Sequence, residues 1–374
     1  MKTKNLYFLV NMQTSFEQRI LKGIAAYARQ QRPRWRVRWG RVLDDAGAQE
    51  VDGVIQFAAE PEVLLDLLKL KLPIVSTSSR HITAGFPCVT TNDTAISELA
   101  AQHFRGKFYQ SFAFVGARDV GFSMSRMEAF ARAVAPAEVQ LLTLDDHLPL
   151  AIRLKKFQAD LEALPPRTAV FTANDVFARM VLNALEGSLR QVPGDISVMG
   201  VDADELISLS CPMDLSSVDS NPEGIGAKAA ELMGQMLEEP GSVPDGFLHR
   251  VQPRGIVEGT STDALATDDE LVLRARELMR LRACDREYTI ADLAKETGCS
   301  RRSLELRFSA ASGVGLGQHL WKLRIDHAKE LLRATTLNLA EVAEQSGFVS
   351  QFHFSEKFKK ETGVPPGHYR KRGD

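Results

Sequence analysis

Over the first 260 residues, short apolar runs alternate with patterns of helical period. The runs predict strands over residues 5–11, 35–39, 53–58, 72–76, 111–116, 139–144, 169–173 and 196–201. Between them lie helical stretches over 16–31, 62–70, 94–104, 125–134, 150–161, 176–187 and 224–237. In the first helix Ile20, Ile24, Tyr27 and Ala28 share one face. Strands that alternate with helices of this length build parallel sheets through right-handed crossovers. This many elements exceed one doubly wound sheet, so the expectation is an α/β domain of two lobes with a cleft between them.

The pattern changes near Thr260. Residues 261–270 are small, polar and acidic and read as a linker, and residues 271–374 carry helical periodicity with no convincing strand. The expected organisation is therefore a two-lobed domain over 1–260, a linker over 261–270 and an all-α domain over 271–374.

Charge sharpens this division. The 374-residue chain has a net charge of −2, yet residues 300–374 hold 13 Lys/Arg against 8 Asp/Glu, leaving +5 there and −7 in the rest. A basic tail on an acidic body points to a polyanionic partner. No apolar run approaches the ~18 residues of a membrane span. The N-terminal apolar stretch is shorter than the roughly 7–15 residues of a signal sequence. The four cysteines, Cys88, Cys211, Cys284 and Cys299, show no paired spacing. These features predict a cytoplasmic protein that is neither exported nor membrane-bound. The chain lacks a G-x-G-x-x-G after its first strand, a P-loop, a G-x-S-x-G and an H-E-x-x-H. Its eight histidines show no metal-ligand spacing. The expectation is a non-enzyme with no metal and no cofactor, with a Rossmann-like enzyme as the remote alternative.

The last hundred residues contain an internal repeat. Thr289, Ile290, Leu293, Ala294 and Gly298 recur 49 positions later as Asn338, Leu339, Val342, Ala343 and Gly347. Ser300, Leu304 and Phe308 recur 50 positions later as Ser350, Phe354 and Phe358. Each copy makes sense as a helix-turn-helix: a polar N-cap, a small Ala at the helix crossing, and a Gly whose positive φ ends the first helix. A second N-cap then starts a helix with apolar i and i+4 positions. This spacing turns Arg301, Arg302 and Glu305 outward in the first copy. In the second, Ser350, Gln351, His353 and Lys357 are the candidates. A polar, partly basic outer face suits the major groove of duplex DNA.

These residues resemble the AraC/XylS-type DNA-binding domains, through Ala328-x-x-Leu331-Leu332, Leu339-Ala340-Glu341-Val342-Ala343, Gly347-Phe348, Phe354-x-x-x-Phe358-Lys359-Lys360 and Gly363-Val364-Pro365-Pro366. The resemblance implies two helix-turn-helix units joined by a long helix over residues 317–333, with Arg324 and Ala328 in family-like positions. Recognition helices over 300–308 and 350–359 would enter successive major grooves. Leu306, Phe352 and Glu356 depart from the family's usual polar or basic residues at their positions.

The front domain resembles the effector domain of LacI-type repressors and periplasmic sugar-binding proteins, through Asn174-Asp175, the stretch from Val192-Pro193 to Val201-Asp202, Ser216-Ser217-Val218 and Gly226-x-x-Ala229. A sugar-receptor core followed by an AraC-type reader is the arrangement of the xylose-operon regulators, the XylR-like group. Sugars present vicinal hydroxyls and an apolar ring face, which planar polar side chains and aromatic rings bind. Candidates at strand ends are Phe16, Glu17, Arg126, Asn174, Asp175 and Asp202. The resemblance places Arg126, Asn174 or Asp175, and Asp202 in the pocket. Ser220 stands where glutamine is frequent. Implied partners are an operator DNA, a small-molecule sugar with a pentose favoured, RNA polymerase and a second copy of the chain. An effector other than a pentose is the standing alternative.

Overall fold

The structure is a computed structural model that describes residues 3–371 apart from 32–34, 44–49, 58–62, 64–66, 70, 80–84, 144–148, 265 and 268. The helix expected over 62–70 falls largely outside the described residues. The chain divides into two compact units, one formed by 1–105 and 109–264, the other by 265–374 together with Gly106–Phe108.

The first unit is an α/β fold of two six-stranded sheets. One holds β1 (Asn5–Leu9), β2 (Arg36–Gly40), β3 (Gly53–Gln56), β4 (Ile74–Ser76), β5 (Cys88–Thr91) and β11 (Leu248–Val251), in the order β11-β5-β4-β3-β1-β2 with all pairs parallel. The other holds β6 (Ser111–Val115), β7 (Val139–Leu142), β8 (Thr168–Thr172), β9 (Ile196–Val201), β10 (Ser216–Asp219) and β12 (Gly255–Val257). Its order is β12-β10-β9-β8-β6-β7, and only β12 runs antiparallel. The chain passes between the lobes three times, after β5, after β10 and between β11 and β12. Central strands are largely apolar because helices cover both faces of a parallel sheet: β8 and β9 are buried at every position.

The helices of this unit are α1 (Ser15–Gln30), α2 (Asp93–Gly106), α3 (Gly121–Ala133), α4 (Leu150–Glu162), α5 (Asp175–Leu185), α6 (Glu205–Leu209) and α7 (Pro222–Glu238). α1 and α7 meet backbone to backbone, since a Cβ on Gly23 would lie 2.0 Å from the Glu223 carbonyl oxygen and one on Gly226 would lie 2.0 Å from that of Ile20. Ile20, Ile24, Ala28, Ile225, Ala229 and Met233 then close one face of the first sheet.

Strands β5, β10, β11 and β12 go beyond the sequence expectation. Each has only three or four residues, and β11 (Leu-His-Arg-Val) and β12 lie at sheet edges with half-exposed side chains. Ser261 is buried in the first unit, where its Oγ donates to the Val198 carbonyl at 2.7 Å and accepts from the Ser216 N–H at 2.9 Å.

The second unit is helical: α8 (Glu270–Arg282), α9 (Ile290–Thr297), α10 (Arg301–Ser312), α11 (Leu316–Ala334), α12 (Leu339–Gln345), α13 (Gln351–Thr362) and α14 (Pro366–Lys371). The repeat governs its local structure. Thr289 with Asp292 and Asn338 with Glu341 form reciprocal capping boxes at the starts of α9 and α12. Gly298 and Gly347 follow in the left-handed region at φ 73° and 77°. Ser300 and Ser350 accept from the N–H groups of Ser303 and His353 and so start α10 and α13. The repeat runs further than the sequence pattern suggested. Ser312 and Thr362 hydroxyls make matching bonds to the carbonyls of Phe308 and Val314, and of Phe358 and Val364. α11 therefore corresponds to α14, lengthened to 19 residues.

That long helix serves two cores. Leu316 and Leu320 pack with Phe108, Val272, Met279, Leu293, Leu304 and Phe308. Ile325, Ala328 and Leu332 pack with Val342, Ala343, Phe348, Phe354 and Phe358. Between the two cores, Arg324 donates to the carbonyls of Ala283 (2.7 Å) and Asp285 (2.9 Å) and lies over the Trp321 ring.

Candidate functional site

In an open α/β sheet, ligands bind beyond the carboxyl ends of the strands at the point where the strand order reverses. Here that point lies between β1 and β3 in one lobe and between β6 and β8 in the other. Arg126, on α3 after β6, is buried. Its Nε donates to Asp93 Oδ1 at 2.9 Å, its Nη1 donates to the Ala173 carbonyl at 2.5 Å, and its guanidinium lies over the Phe122 ring. Asp202 follows β9 with the backbone at φ 106°, and Ala203 follows at φ 51°, two positive values on adjacent non-glycine residues. Such strain collects where the chain must present a side chain at a functional site. The Asp202 carboxylate accepts from Ser220 Oγ at 2.8 Å. It keeps partial access to solvent yet is hemmed in by protein, and burial pushes its pKa up against the opposing pull of Arg126 and Ser220. Arg126, Asp93, Asp202 and Ser220 thus form one polar cluster that crosses from β5 to the second sheet. It offers planar donors and acceptors of the kind that pair with vicinal hydroxyls.

The other predicted cleft residues are placed differently. Phe16 is half-buried and packs on Phe57 after β3, with ring centroids 5.7 Å apart. Glu17 closes the capping box of α1: its Oε2 accepts from the N–H groups of Gln13 and Thr14. Asn174 Oδ1 caps α5 by accepting from the Phe177 N–H at 3.2 Å. Asp175 is buried, and both oxygens are engaged, Oδ1 by the Ser217 hydroxyl at 2.6 Å and Oδ2 by the Asp204 N–H at 2.7 Å. Burial and the nearby Asp202 charge push its pKa well above the usual carboxylate range. These bonds make Glu17 and Asp175 ties within the protein, while Asn174 serves as a helix cap through its Oδ1.

Asp93 is a cleft residue that the sequence reading missed, because strand β5 before it went unseen. Arg19 was also missed. It braces the crossing after β10, with Nε and Nη2 on Glu223, Nη2 on Asp219 at 2.7 Å and Nη1 on the Asp202 carbonyl at 2.6 Å. Beside it a cavity of 510 Å³ is lined by Arg19, Lys22, Asp175, Asp204, Ser217 and Glu223, among others. Of the predicted sugar ligands only Asp175 borders this cavity.

In the second unit, α10 and α13 are the second helices of the two repeats. Arg301 and Arg302 are exposed on the first turn of α10, and Arg301 pairs with Glu305 one turn on, at 2.8 Å. Gln351 is exposed on the first turn of α13, while the Ser350 hydroxyl is occupied as its cap. His353 and Lys357 are half-buried against Trp321, the His353 ring edge-on at 5.0 Å and the Lys357 Nζ 5.6 Å from the ring centre. The positions opposite the buried Leu304/Phe308 and Phe354/Phe358 stripes are instead Arg302 and Leu306, and Phe352 and Glu356. Among the described residues, no group of His, Cys, Asp and Glu is placed to hold a metal ion, and no helix is long and apolar enough to cross a membrane.

Comparison with known proteins matches residues 101–262 to a periplasmic binding protein-like domain and residues 293–372 to a helix-turn-helix domain. The chain is an AraC-type DNA-binding transcription regulator that carries a periplasmic-binding-protein-like, sugar-binding domain. More particularly, it is homologous along its length to xylose operon regulators. The xylose operon regulatory protein of Haemophilus influenzae is 27% identical over 97% of both chains. That of Escherichia coli K12 is 26% identical over 99% of this chain and 97% of its own. The solved structure of a xylose-binding transcription activator, xylR, superposes with a TM-score of 0.63 at 25% identity, covering 100% of this chain and 99% of its own.

Proposed function

We propose that this regulator senses a pentose, xylose or a close relative, and activates transcription of genes for its use. The observation that carries this reading is the Arg126–Asp93–Asp202–Ser220 cluster at the strand ends of both lobes. It is supported by the names of the full-length relatives, which are xylose regulators. Phe16 and Phe57 would cover the apolar face of the ring, and Asn174 would contribute its amide. Residues 1–260 would sense, 261–270 would link and 271–374 would read DNA.

Sugar would close the two lobes about their three crossings, one of which Arg19 braces. Closure would favour the conformer in which a homodimer holds its operator and meets RNA polymerase, a coupling that must be reciprocal. The protein would act in the cytoplasm without catalysis, cofactor or metal.

A second reading, a sugar other than a pentose, has one observation on its side. Ser220 is a short hydroxyl spent on Asp202, where the family resemblance implies a glutamine. Thermal unfolding of the full chain against pentoses, hexoses and sugar phosphates separates the two. A ligand at 100 times its Kd adds about 2.7 kcal/mol, a rise of a few degrees in Tm. A rise with xylose alone supports the pentose reading, a rise with a hexose supports the second, and no rise with any sugar overturns both.

A further inference from the structure

A helix face in water should be polar, yet the two helices aimed at DNA each hold a large bare apolar side chain. Phe352 on α13 is 81% exposed and Leu306 on α10 is 64% exposed. Val349, just before α13, is 64% exposed, and its carbonyl accepts from Arg286 at 2.9 Å. The two helices are related by the 50-residue repeat, so Phe352 corresponds to Arg302 and Glu356 to Leu306. On each helix these i and i+4 positions form the outermost stripe, on the side away from the core. Each stripe therefore pairs one apolar residue with one charged residue: Arg302 then Leu306, and Phe352 then Glu356, all exposed.

A basic protein surface would not suit this face, because Lys359 and Lys360 flank Glu356 while Arg301 and Arg302 open α10. The major groove does suit it. There the only apolar group on a base edge is the thymine 5-methyl. Guanine O6 and N7 take Arg, and the cytosine amino group donates to a carboxylate.

We propose that Phe352 and Leu306 each pack on a thymine methyl. Arg302 then reads a guanine beside one of these thymines, and Glu356 a cytosine beside the other. The inference rests on the DNA-reading role of the second unit and adds to it the chemical class of the bases read.

The test uses the full chain, with and without xylose. A random duplex pool is first selected for binding, and each thymine of the selected site is then replaced singly by deoxyuridine, which lacks only the methyl. Burial of one methyl is worth a factor of about four in affinity. In each half-site, at least one thymine in each of the two successive major grooves should show a loss of about that size. Phe352→Ala should abolish the loss in one of these grooves and Leu306→Ala in the other, in both half-sites alike, with Phe352→Leu retaining most of it. Both residues are exposed, so Tm should hold and report that folding is unaffected. If uracil is neutral at every position of a well-selected site, or its penalty survives both alanine variants, the thymine assignment is overturned while DNA reading stands. If no sequence is enriched under either condition, both fall.

Discussion

Acidification offers a quantitative test of the second unit's core, through His319. This side chain lies on α11 with 7% of its surface exposed, its ring 5.2 Å from Phe308 and 6.2 Å from Phe108. Burial first, then the nearby charges of Arg276 and Lys322, push its pKa down to about 4, with Asp326 opposing. The folded unit therefore keeps the imidazole neutral, while the unfolded chain takes up a proton near the ordinary value of about 6.5. Between these values the unfolded state binds more protons, so stability must fall as pH drops from 6.5 to 4 and level off below. A gap of about 2.5 pH units at about 1.36 kcal/mol each amounts to about 3 kcal/mol.

Urea unfolding read through Trp321 measures this, in a background with Trp35 and Trp39 replaced by Phe. The parent and a His319→Gln variant, whose amide never titrates, are compared at steps from pH 7.5 to 4. The parent should lose about 3 kcal/mol more than the variant, nearly all of it below pH 6.5. Equal slopes for the two proteins would refute the reasoning, because every other titrating group is common to both.

Arg126→Met should weaken sugar binding by about 10- to 150-fold, the value of a charge-assisted hydrogen bond of about 1.5–3 kcal/mol, as calorimetric titration would register. Gly200→Ala places a methyl 2.0 Å from Asp175 Oδ1; the forced shift should cost about 1–3 kcal/mol, seen as a lower urea midpoint for the first unit. Arg324→Met strands the Ala283 and Asp285 carbonyls between the two helical cores. That should cost about 2–5 kcal/mol and lower DNA affinity in an anisotropy titration.

Periodicity alone exposed most of the fold, since buried parallel strands such as 196–201 are largely apolar runs and the helices between them carry one apolar face. What escaped it has physical reasons. β5 follows Pro87 and ends in two threonines that lie buried between the lobes, so it lacks the apolar signature, and Asp93 was hidden with it. Glu17 illustrates a signal present but read otherwise: Thr14-x-x-Glu17 is a capping-box spacing, which competes with any role in the cleft. Asn174 likewise has the chemistry of a helix cap as well as of a sugar ligand.

The outer face of α13 was missed by one step of the helix. At 100° per residue, His353 and Lys357 lie to the side of the buried Phe354 and Phe358, where Trp321 receives them. Phe352 and Glu356 lie opposite. The sequence pattern had marked these two only as departures from the family's usual residues.

The long helix α11 acts as a ruler with an angular scale. Each residue of α-helix advances about 1.5 Å and turns about 100°, and both cores are fastened to this one element, Leu316 and Leu320 to the first, Ile325, Ala328 and Leu332 to the second. Gain or loss of a single residue in it would swing one reading head a quarter-turn or more around the axis, while changing the separation of the two heads by only about 1.5 Å. The spacing tolerance of the target site is thus governed by phase rather than distance. Substitutions on α10 and α13 can change the bases read one residue at a time, whereas an insertion or deletion in α11 would put the two heads out of phase.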